Sequence, residues 1–530
     1  MATNNKYDRQ LRLWGAKGQQ ALGETTVVLL RATAAGTETL KNLVLPGVGH
    51  FHVVDDVAKA THAEVASNFF LSDSDSRSRA EVACSFLREL NPDVKGTFQH
   101  VPSLSAVADW NEVFNGAKAE TSKQIIVIAS DLEPSVLEAV SSACRDGKIP
   151  VLAVSSYGLI GTVRLQAPIL ALMDPKPTTS PPDLRLKNSF PALDELAASI
   201  KWDELKDHEH GHIPYPLILH KVAQEWKTGH DGNLPKTMDE KAAFRKAIES
   251  MSRGMDKELN FQEATQNAYL AYTERECDYM DELLGSIDAS SKLGLLLGAL
   301  QKFMTANGRP PLNGSIPDMT ASTEIYVKLQ SIYKDQATSD FDQMKKLLND
   351  ASVSDEDLST FCANVFSIGQ LKTRTMVDEF NSAEIDEELV EDWNMATFDP
   401  YEVPEHTPLL WYLGFRACQM FFTQNNNRYP GTTDDWKSDI PKLQSCIAQV
   451  AKHYRLAEND LVCTKVLNDA EMKMAHEFTR YANAEIHVVA SVIGGVASQE
   501  AVKIITGQYI PLDNTYVFNG IVSVSGVYRF

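Results

Sequence analysis

The segment Leu29–Glu38, with the sequence LLRATAAGTE, constrains the fold more than any other part of the chain. It follows Thr26–Leu30, an apolar run of strand length that is rich in β-branched residues. A helical pattern covers about Gly36–Val44, and a second apolar run, Phe51–Val54, leads into Asp55. The order of strand, tight turn, helix and strand predicts a parallel β-α-β unit.

Two further apolar runs, Ile125–Ala129 and Val151–Val154, have strand length, and Arg79–Leu90 has the pattern of an amphipathic helix. Apolar runs without polar alternation that are separated by helices are typical of a parallel sheet covered on both faces. We therefore predict an α/β domain of the Rossmann type, preceded by a short amphipathic helix over residues 7–22.

The turn after the first strand lacks the glycines that a phosphate-binding loop needs. One glycine permits the tight turn, and another lets the backbone approach the phosphates without a Cβ in the way. Only Gly36 remains here, and it follows Arg31, Ala32, Thr33, Ala34 and Ala35. Thr33 is β-branched at the point where a phosphate requires open backbone, so the loop is predicted to bind none. An ordinary strand-to-helix turn is the alternative interpretation.

The character of the sequence changes near residue 171. Residues 174–183 are rich in proline, serine and threonine, which is typical of a linker, and the pattern from there to about residue 480 is mainly helical. The early character then returns. We predict one α/β domain that a long helical insertion interrupts, with boundaries at 1–170, 171–480 and 481–530.

The last part of the chain has the features of a helix followed by a hairpin. His487–Thr506 is rich in small residues that allow close packing on a sheet, and Gly507 is in place to end the helix. Tyr516–Phe518 and Ile521–Val524 are predicted to pair, with a turn at Asn519-Gly520.

The charge of the chain excludes several classes of partner. Its 530 residues include 50 Lys and Arg against 71 Asp and Glu, so the formal net charge is −21. Such a protein is not generally attracted to nucleic acid or to anionic lipid, and we expect neither as a partner. The seven cysteines form no CxxC pair, the N-terminus is polar, and no apolar run approaches the length of a membrane span. A cytoplasmic or nuclear location is therefore expected.

The histidine and cysteine patterns give weak signals for chemistry. His208, His210 and His212 alternate, and alternating histidines on a strand can share a metal ion. They lie in an acidic polar region without nearby cysteines, so a solvated loop and no metal site are expected. Cys84 and Cys418 lie in amphipathic helical runs and are predicted to belong to the core.

Three motifs resemble the adenylation fold of ubiquitin-like-protein activating enzymes: YDRQLRLWG at 7–15, the loop ending at 35–38, and LVLPGVGHFHVVDD at 43–56. Active members of that family have a loop similar to GxGGxGxE, of which Gly36 and Glu38 remain. The family's phosphate-handling arginine is missing from the stretch 67–70, and Arg79 stands where a lysine is expected. Asp55 matches the ribose-binding acid and is interpreted as vestigial or structural.

Further motifs resemble the non-catalytic subunits of the neddylation branch of that family: LPKT at 234–237, PLNGSIPDM at 311–319, YVKLQSIY at 326–333, RYPG at 428–431 and the segment 484–508. The corresponding subunit of the sumoylation branch lacks so long a helical insertion and is the alternative. The resemblance implies that this chain binds no cofactor, whereas a catalytic partner subunit holds ATP and Mg²⁺. That partner adenylates the C-terminus of a ubiquitin-like modifier and captures it as a thioester. The modifier and, through the complex, a conjugating enzyme are the other implied partners.

The resemblance also implies roles for two parts of the chain. Arg9 is expected to reach across the dimer axis into the partner's ATP site, with pairing to a local carboxylate as the alternative. The segment 318–333 is a candidate for contact with the catalytic subunit, and an internal core stripe is the alternative. Its candidate contact residues are Asp318, Met319, Ile325, Lys328, Leu329, Gln330, Ile332 and Tyr333.

Two other classes of function stay open. An adenylating or dinucleotide-dependent enzyme that acts alone is one, although the loop Leu29–Glu38 disfavours it. A pure interaction protein without an enzyme partner is the other, and the retained Arg9 disfavours that.

Overall fold

The computed structural model describes residues 6–73, 76–168, 170–173, 182–254, 258–273, 277, 280, 283–284, 289, 292–348, 353–371, 373–381, 385–397 and 406–530. The chain divides into two compact units. We call them the α/β unit, Met1–Leu172 with Leu371–Phe530, and the helical unit, Met173–Gln370. Most of the predicted linker at 174–183 lies outside the described residues.

The α/β unit is built on one eight-stranded sheet. Its strands are β1 Thr25–Leu30, β2 His50–Asp55, β3 Lys95–His100, β4 Gln124–Ser130, β5 Val151–Tyr157, β6 Ile160–Gln166, β9 Thr515–Asn519 and β10 Val524–Tyr528. Their spatial order is β10-β9-β6-β5-β4-β1-β2-β3. The pairs among β1 to β5 are parallel, and β6, β9 and β10 extend the sheet with antiparallel pairs. Two short strands, β7 Leu170–Met173 and β8 Ile368–Leu371, form a separate sheet.

The four strands predicted from apolar runs are β1, β2, β4 and β5, and the predicted parallel sheet is confirmed. The sequence pattern missed β3, because this edge strand is polar and mostly exposed. It also missed β6, which follows β5 directly and pairs with it from Tyr157 opposite Ile160 onward. The C-terminal hairpin is present, but its second strand begins at Val524 and the turn occupies 520–523.

Helices cover the sheet, and short polar side chains fix where several of them begin. The helices before the helical unit are α1 Asp8–Gly23, α2 Ala34–Val44, α3 His62–Ser67, α4 Arg79–Glu89, α5 Trp110–Ala117 and α6 Pro134–Asp146. Thr33, Ser78 and Asp109 accept hydrogen bonds from backbone N–H groups at the starts of α2, α4 and α5. The helices after it are Met376–Asn381, Glu387–Ala396, Pro408–Gln424, Asp439–His453, Asp460–Val462, Lys473–Tyr481 and His487–Thr506.

His487–Thr506, which we call the return helix, packs against α2 through small residues. A Cβ at Gly494 would lie 2.6 Å from Glu38 Cβ and 2.7 Å from the backbone N of Thr39, so only glycine fits there. Gly507 ends the helix with φ 63°, as predicted. By length and apolar composition, this is one described helix that could cross a membrane, which corrects the expectation that no apolar run is long enough. Most of that stretch is buried inside the α/β unit.

The helical insertion is shorter than predicted. It begins near residue 171, as expected, but it ends at residue 370 rather than 480. The helices Pro408–Gln424 and Asp439–His453 pack in one core with Tyr157 of β5 and Val517 of β9, and so belong to the α/β unit. The sequence pattern could not separate the two groups of helices because both have the same amphipathic periodicity.

The helical unit has its own core. Its helices are Pro191–Ala198, Asp207–His210, Tyr215–Gly229, Met238–Ser250, Leu259–Gln266, Lys292–Asn307, Thr323–Leu348 and Asp355–Ala363. Leu217, Phe244, Phe261 and Leu329 are among the residues of this core.

Candidate functional site

The turn between β1 and α2 is closed by its own side chains. Arg31 adopts a left-handed backbone with φ 69°, and Thr33 caps α2 by accepting a hydrogen bond from the N–H of Gly36. The Thr33 hydroxyl also lies 2.5 Å from the hydroxyl of Ser130, at the end of β4. The β-branched residue that sequence analysis singled out therefore ties the turn to the neighbouring strand.

Gly36, the remaining glycine of the loop, serves packing between α2 and the sheet. A Cβ at this position would lie 2.8 Å from the Ser130 side chain and 2.9 Å from that of Leu29. Such contacts are too short for any larger residue without a backbone shift. Retention of Gly36 is thus explained without a phosphate.

A carboxylate occupies the N-terminus of α2. Glu485, just before the return helix, accepts hydrogen bonds of 2.7 Å from the N–H of Ala34 and 2.9 Å from the N–H of Ala35. The N-terminus of a helix is where exposed N–H groups and the helix dipole favour an anion. Glu485 therefore stands where the phosphates of a nucleotide would bind.

Asp55, at the end of β2, is fully engaged inside the protein. Its carboxylate accepts from the N–H of Ala32 at 2.7 Å and from Arg79 at 2.8 and 2.9 Å. Arg79 also pairs with Glu64 of α3. The acid that matches a ribose ligand in the resembling family is thus buried in an ion pair and gives structural support to the turn.

The Arg31 side chain links the turn to the residues that follow β4. It donates to the carbonyl of Asp131 at 2.7 Å and to the Glu133 carboxylate at 2.8 and 2.9 Å, and it lies 3.7 Å from Asp56. Arg31 and Asp131 both have left-handed backbones, with φ 69° and 44°, at the ends of the adjacent strands β1 and β4. Their unusual conformations are held by this direct contact.

Residues after α3 divide between the inside and the outside of the site. Asn68 donates to the carbonyl of Ala32 at 3.2 Å and accepts from the Thr37 hydroxyl at 3.0 Å. The next residue, Phe69, points outward and is 71% exposed. The polar group at Asn68 thus stabilises the turn, whereas the exposed ring of Phe69 packs against the ring of His487, with the centroids 4.0 Å apart.

These residues surround a cavity of about 720 Å³ at the carboxyl ends of β1, β2 and β4. Two guanidinium groups line it, Arg31 and Arg79. Five carboxylates line it as well: Asp56, Glu64, Asp131, Glu133 and Glu485. The cavity is large enough for a small molecule, but its charge opposes the polyphosphate of a nucleotide.

The acid groups of the cavity affect each other's protonation. Burial and the charge of Glu485 raise the pKa of Asp131 well above its ordinary value, although Ser155 and Arg31 act in the opposite direction. Burial also raises the pKa of Glu485, against the effect of the N–H groups that it accepts. Burial is the largest cause of both shifts, so both carboxyls ionise less readily here than they would in water.

Arg9 lies outside this cavity, on the exposed surface of α1. Its neighbour Arg12 pairs with Asp8 at 2.8 Å, whereas no described residue forms an ion pair or hydrogen bond with the Arg9 guanidinium. The alternative of pairing with a local carboxylate therefore has no support among the described residues. A role for Arg9 in another chain stays a prediction.

The histidine segment differs from the expected solvated loop. Asp207–His210 is a short helix, His210 is buried, and its Nδ1 lies 3.0 Å from a carboxylate oxygen of Glu258. His208 and His212 stack on each other with their ring centroids 4.3 Å apart. A helix does not align three alternating side chains, which removes the strand geometry on which a metal site depended. No group of three or more potential metal ligands occurs within the described ranges.

Burial disfavours a reactive thiolate at most of the cysteines, since six of the seven are buried. Cys84 and Cys418 are buried, as predicted for core residues. Burial raises the pKa of Cys84 to about 11 and also raises the pKa of Cys418 well above its ordinary value. Cys463 is half-buried, and its thiol donates to the carbonyl of Ala457 at 2.9 Å. A reactive cysteine requires the opposite shift of its pKa.

The residues of the candidate partner interface, 318–333, differ in how far they are buried. Leu329 and Tyr333 are buried in the core of the helical unit, and the Tyr333 hydroxyl donates to the carbonyl of Leu184 at 2.6 Å. For these two residues the alternative interpretation, an internal core stripe, is therefore correct. Other apolar members are partly buried against the same core: Met319, Ile325 and Ile332. Gln330 is half-buried and Asp318 and Lys328 are exposed, so contact with a partner stays a prediction for these.

Sequence analysis missed the acids that face the altered loop. Asp131 and Glu133 follow β4, and the ends of adjacent parallel strands meet at one edge of the sheet, so strand order carried a usable signal. Glu485 lies 451 positions after Ala34, and nothing in the local sequence places it at the start of α2.

Comparison with known proteins extends the resemblance over almost the whole chain. The model of the ThiF family matches residues 7–527. The NEDD8-activating enzyme E1 regulatory subunit of Danio rerio is 32% identical over 549 residues, which cover 99% of this chain and 98% of that protein. The NEDD8-activating enzyme E1 regulatory subunit AXR1 of Arabidopsis thaliana is 34% identical over 541 residues, which cover 97% of this chain and 94% of that protein. Among solved structures, E. coli MccB with MccA-N7isoASN is 18% identical, with a TM-score of 0.27 over 31% of this chain and 48% of that chain.

Proposed function

Because the chain belongs to the ThiF family and, within it, to the NEDD8-activating enzyme E1 regulatory subunits, we propose that it is the half of a heterodimer that binds no ATP itself. In this proposal a catalytic subunit with a related fold holds ATP and Mg²⁺. That subunit adenylates the C-terminus of NEDD8 and then captures it as a thioester. The regulatory chain binds the catalytic subunit and completes its site.

The position of Glu485 is the observation that carries this proposal. The two N–H groups that would meet a phosphate are already bound to its carboxylate, at 2.7 and 2.9 Å. Displacing Glu485 would leave a buried carboxylate without its hydrogen bonds and place a phosphate beside Asp131 and Glu133. The residues at this site therefore do not fit a nucleotide, which disfavours an enzyme that acts alone.

Arg9 is the residue that we propose to act in the partner's ATP site. An unpaired, exposed guanidinium keeps its donors available for an anion of another molecule. Arginine stabilises charge that develops on phosphate oxygens through a fixed positive charge and bidentate hydrogen bonds. We further propose that the complex acts in the cytoplasm or nucleus and presents the thioester to a conjugating enzyme.

The test follows modifier-dependent exchange of pyrophosphate into ATP, with each chain alone and with the two mixed. We expect exchange only in the mixture. The Arg9→Ala variant should lower the exchange rate about tenfold or more without changing the affinity between the subunits. Arg12→Ala is the matched control, because Arg12 lies on the same helix but is paired with Asp8.

Exchange by this chain alone would contradict the absence of a nucleotide site. If both chains are required and Arg9→Ala has the wild-type rate, the chain acts as a scaffold and Arg9 does not reach the partner's site.

A further inference from the structure

The helix α1 is broken at Gly15. This residue has φ 72° and ψ 178°, whereas the residues on either side of it are helical. No neighbouring atom lies within 4 Å of the place where a Cβ would be, so the left-handed backbone, and not a lack of space, favours glycine here. The break separates residues 8–14, which we call the arm, from the rest of α1. The exposed Arg9 lies on the arm.

A side chain from the far end of the sequence holds the arm at this break. A helix that stops at residue 14 leaves the carbonyl groups of its last turn without partners inside the helix. The carbonyl of Trp14 accepts a hydrogen bond of 3.0 Å from the side-chain amide of Gln508. Gln508 directly follows Gly507, which ends the return helix. The arm is therefore tied to the return helix by one amide donor.

The Trp14 side chain holds the same end of the arm. Its Nε1 donates to Oε1 of Gln19 at 3.0 Å, and Nε2 of Gln19 donates to the carbonyl of Pro46 at 2.8 Å. A Cβ at Gly18 would lie 2.8 Å from the Trp14 ring, so the ring packs directly on that glycine. The ring also packs against the core of the α/β unit. The position of Trp14 is thus well defined.

The other end of the arm is held at Tyr7. The Tyr7 hydroxyl donates to the Asp93 carboxylate at 3.3 Å and accepts from the amide of Asn91 at 3.2 Å. The residue before it, Lys6, pairs with Asp93 at 3.0 Å. The arm is about two turns long, because an α-helix has 3.6 residues per turn. With both ends held, it presents the Arg9 side chain in one direction.

We propose that Gln508 is a positioning residue for Arg9. Its hydrogen bond to the Trp14 carbonyl fixes the orientation of the arm, and that orientation sets where the Arg9 guanidinium meets phosphate oxygens in the partner's ATP site. This inference rests on the role proposed above for Arg9. A misplacement of about 1 Å can cost about a hundredfold in rate, so a contact outside the reacting groups can control the reaction. Gln508 acts only through Arg9, and Arg9 acts on charge that develops in the transition state. Loss of Gln508 should therefore lower kcat and leave the KM for ATP unchanged.

The experiment measures modifier-dependent pyrophosphate exchange by the heterodimer, with kcat and the KM for ATP determined separately. Gln508→Ala should lower kcat about threefold or more, without changing the KM for ATP or the affinity between the subunits. Gln508→Glu lacks the N–H donor and should lose as much, whereas Gln508→Lys keeps a donor of similar reach and should restore most of the rate. Gln20→Ala is the matched control, because Gln20 is an exposed glutamine beyond the break whose amide donates to Glu24.

A double-mutant cycle separates positioning from a general loss of structure. Arg9→Ala/Gln508→Ala should be no slower than Arg9→Ala alone, because nothing is left to position once the guanidinium is gone. Fully additive effects, or a wild-type kcat for Gln508→Ala, would overturn the positioning role. A wild-type rate for Arg9→Ala would instead overturn the role proposed for Arg9, and this inference with it. The two failures are thus distinguishable.

A second measurement does not use the activity. Trypsin should cleave the full chain after Arg12, on the arm, at least threefold faster in Gln508→Ala than in the wild type, while cleavage at other sites keeps its rate. Mass spectrometry of the released N-terminal peptide follows the reaction. Equal rates of cleavage after Arg12 would show that the Gln508 amide does not hold the arm, and would overturn the inference.

Discussion

The carboxylate of Glu485 accepts a 2.7 Å hydrogen bond from the N–H of Ala34, which lies 451 positions earlier in the chain. The neighbouring N–H of Ala35 donates to the same carboxylate at 2.9 Å. A protein group thus satisfies the helix N-terminus that would otherwise attract an anion. On the proposal that this chain binds no nucleotide, the contact accounts for a site that is occupied by the protein itself while the fold around it is kept.

Removal of this carboxylate should destabilise the α/β unit. Glu485→Ala leaves the N–H groups of Ala34 and Ala35 without partners, and we expect a loss of about 1–3 kcal/mol in the free energy of unfolding. Glu485→Gln keeps an acceptor oxygen and should lose less. Chemical denaturation of both variants measures the difference, and Glu391→Ala at an exposed position is the control. Equal stabilities for all three would show that the capping contact does not stabilise the fold.

Stability should depend on pH through Asp131. Its pKa is raised in the folded protein by burial and by the charge of Glu485, so the unfolded chain releases this proton at a lower pH than the folded chain. Ionisation then favours the unfolded state, and the contribution of this group to stability falls as pH rises from its ordinary pKa toward its raised one. The Asn side chain cannot ionise, so Asp131→Asn should gain stability relative to the wild type as pH rises from the ordinary carboxyl pKa toward neutrality. Thermal melts across that range test this, and a constant difference would contradict it.

Removal of the buried ion pair between Glu379 and Arg164 of β6 should strongly destabilise the α/β unit. Glu379 accepts from Arg164 at 2.8 Å and from the hydroxyls of Tyr412 and Tyr454 at 2.6 and 2.8 Å. Burial alone would raise the pKa of Glu379, but the charges of Arg164 and Arg416 lower it overall. Glu379→Ala leaves buried cations unpaired and should cost about 3–5 kcal/mol of unfolding free energy.

The same pair predicts a loss of stability in acid. Because the folded pKa of Glu379 is lowered, its contribution is present above the ordinary carboxyl pKa and is lost as pH falls through the folded value. Urea denaturation at about pH 7 and about pH 4 should show a smaller difference between wild type and Glu379→Ala at the lower pH. A larger difference in acid would reverse the assigned sign.

Two adjacent glycines of the return helix should respond in opposite ways to substitution. A Cβ at Gly494 would meet the backbone of α2 at 2.7 Å, so Gly494→Ala should destabilise the fold by about 1–3 kcal/mol. Gly495 has nothing within 4 Å of its added Cβ, and Gly495→Ala should raise stability by about 0.5–1 kcal/mol through helix propensity. Thermal denaturation of the two variants measures the difference, and each variant serves as the control for the other. Equal effects on stability would contradict the packing argument.

The parts of the fold that sequence predicted are those with a local physical cause. An unbroken apolar run predicts the strand at Thr26–Leu30. A run of small residues that ends at Gly507 predicts the helix His487–Thr506. The residues of each signal lie within or next to the segment that they predict. The edge strand β3 was missed because it exposes polar side chains and is held mainly by pairing with β2. The end of the helical unit was missed because helices on either side of residue 370 differ in what they pack against.

The candidate site shows the same division. The altered residues Arg31 to Gly36 were visible in the sequence, because missing glycines are a local property. The carboxylates that contact these residues could not be predicted from the local sequence. Glu133 reaches the loop because β4 lies beside β1, and Glu485 reaches it because the end of the chain packs against α2. Whether Arg9 is paired likewise depends on which carboxylates α1 brings near it, and Asp8 pairs with Arg12 instead.

The origin of Glu485 so late in the chain also sets an order of events during synthesis. The residues of β1 and α2 are synthesised early, whereas Glu485, whose carboxylate accepts from the first N–H groups of α2, is synthesised about 450 residues later. Before then, the N–H groups of Ala34 and Ala35 lack the carboxylate that accepts from them in the complete protein. Glu485 can take its place only after residue 485 has emerged, so the cap of α2 forms late, together with the return helix and the hairpin β9–β10 that follow it in the chain.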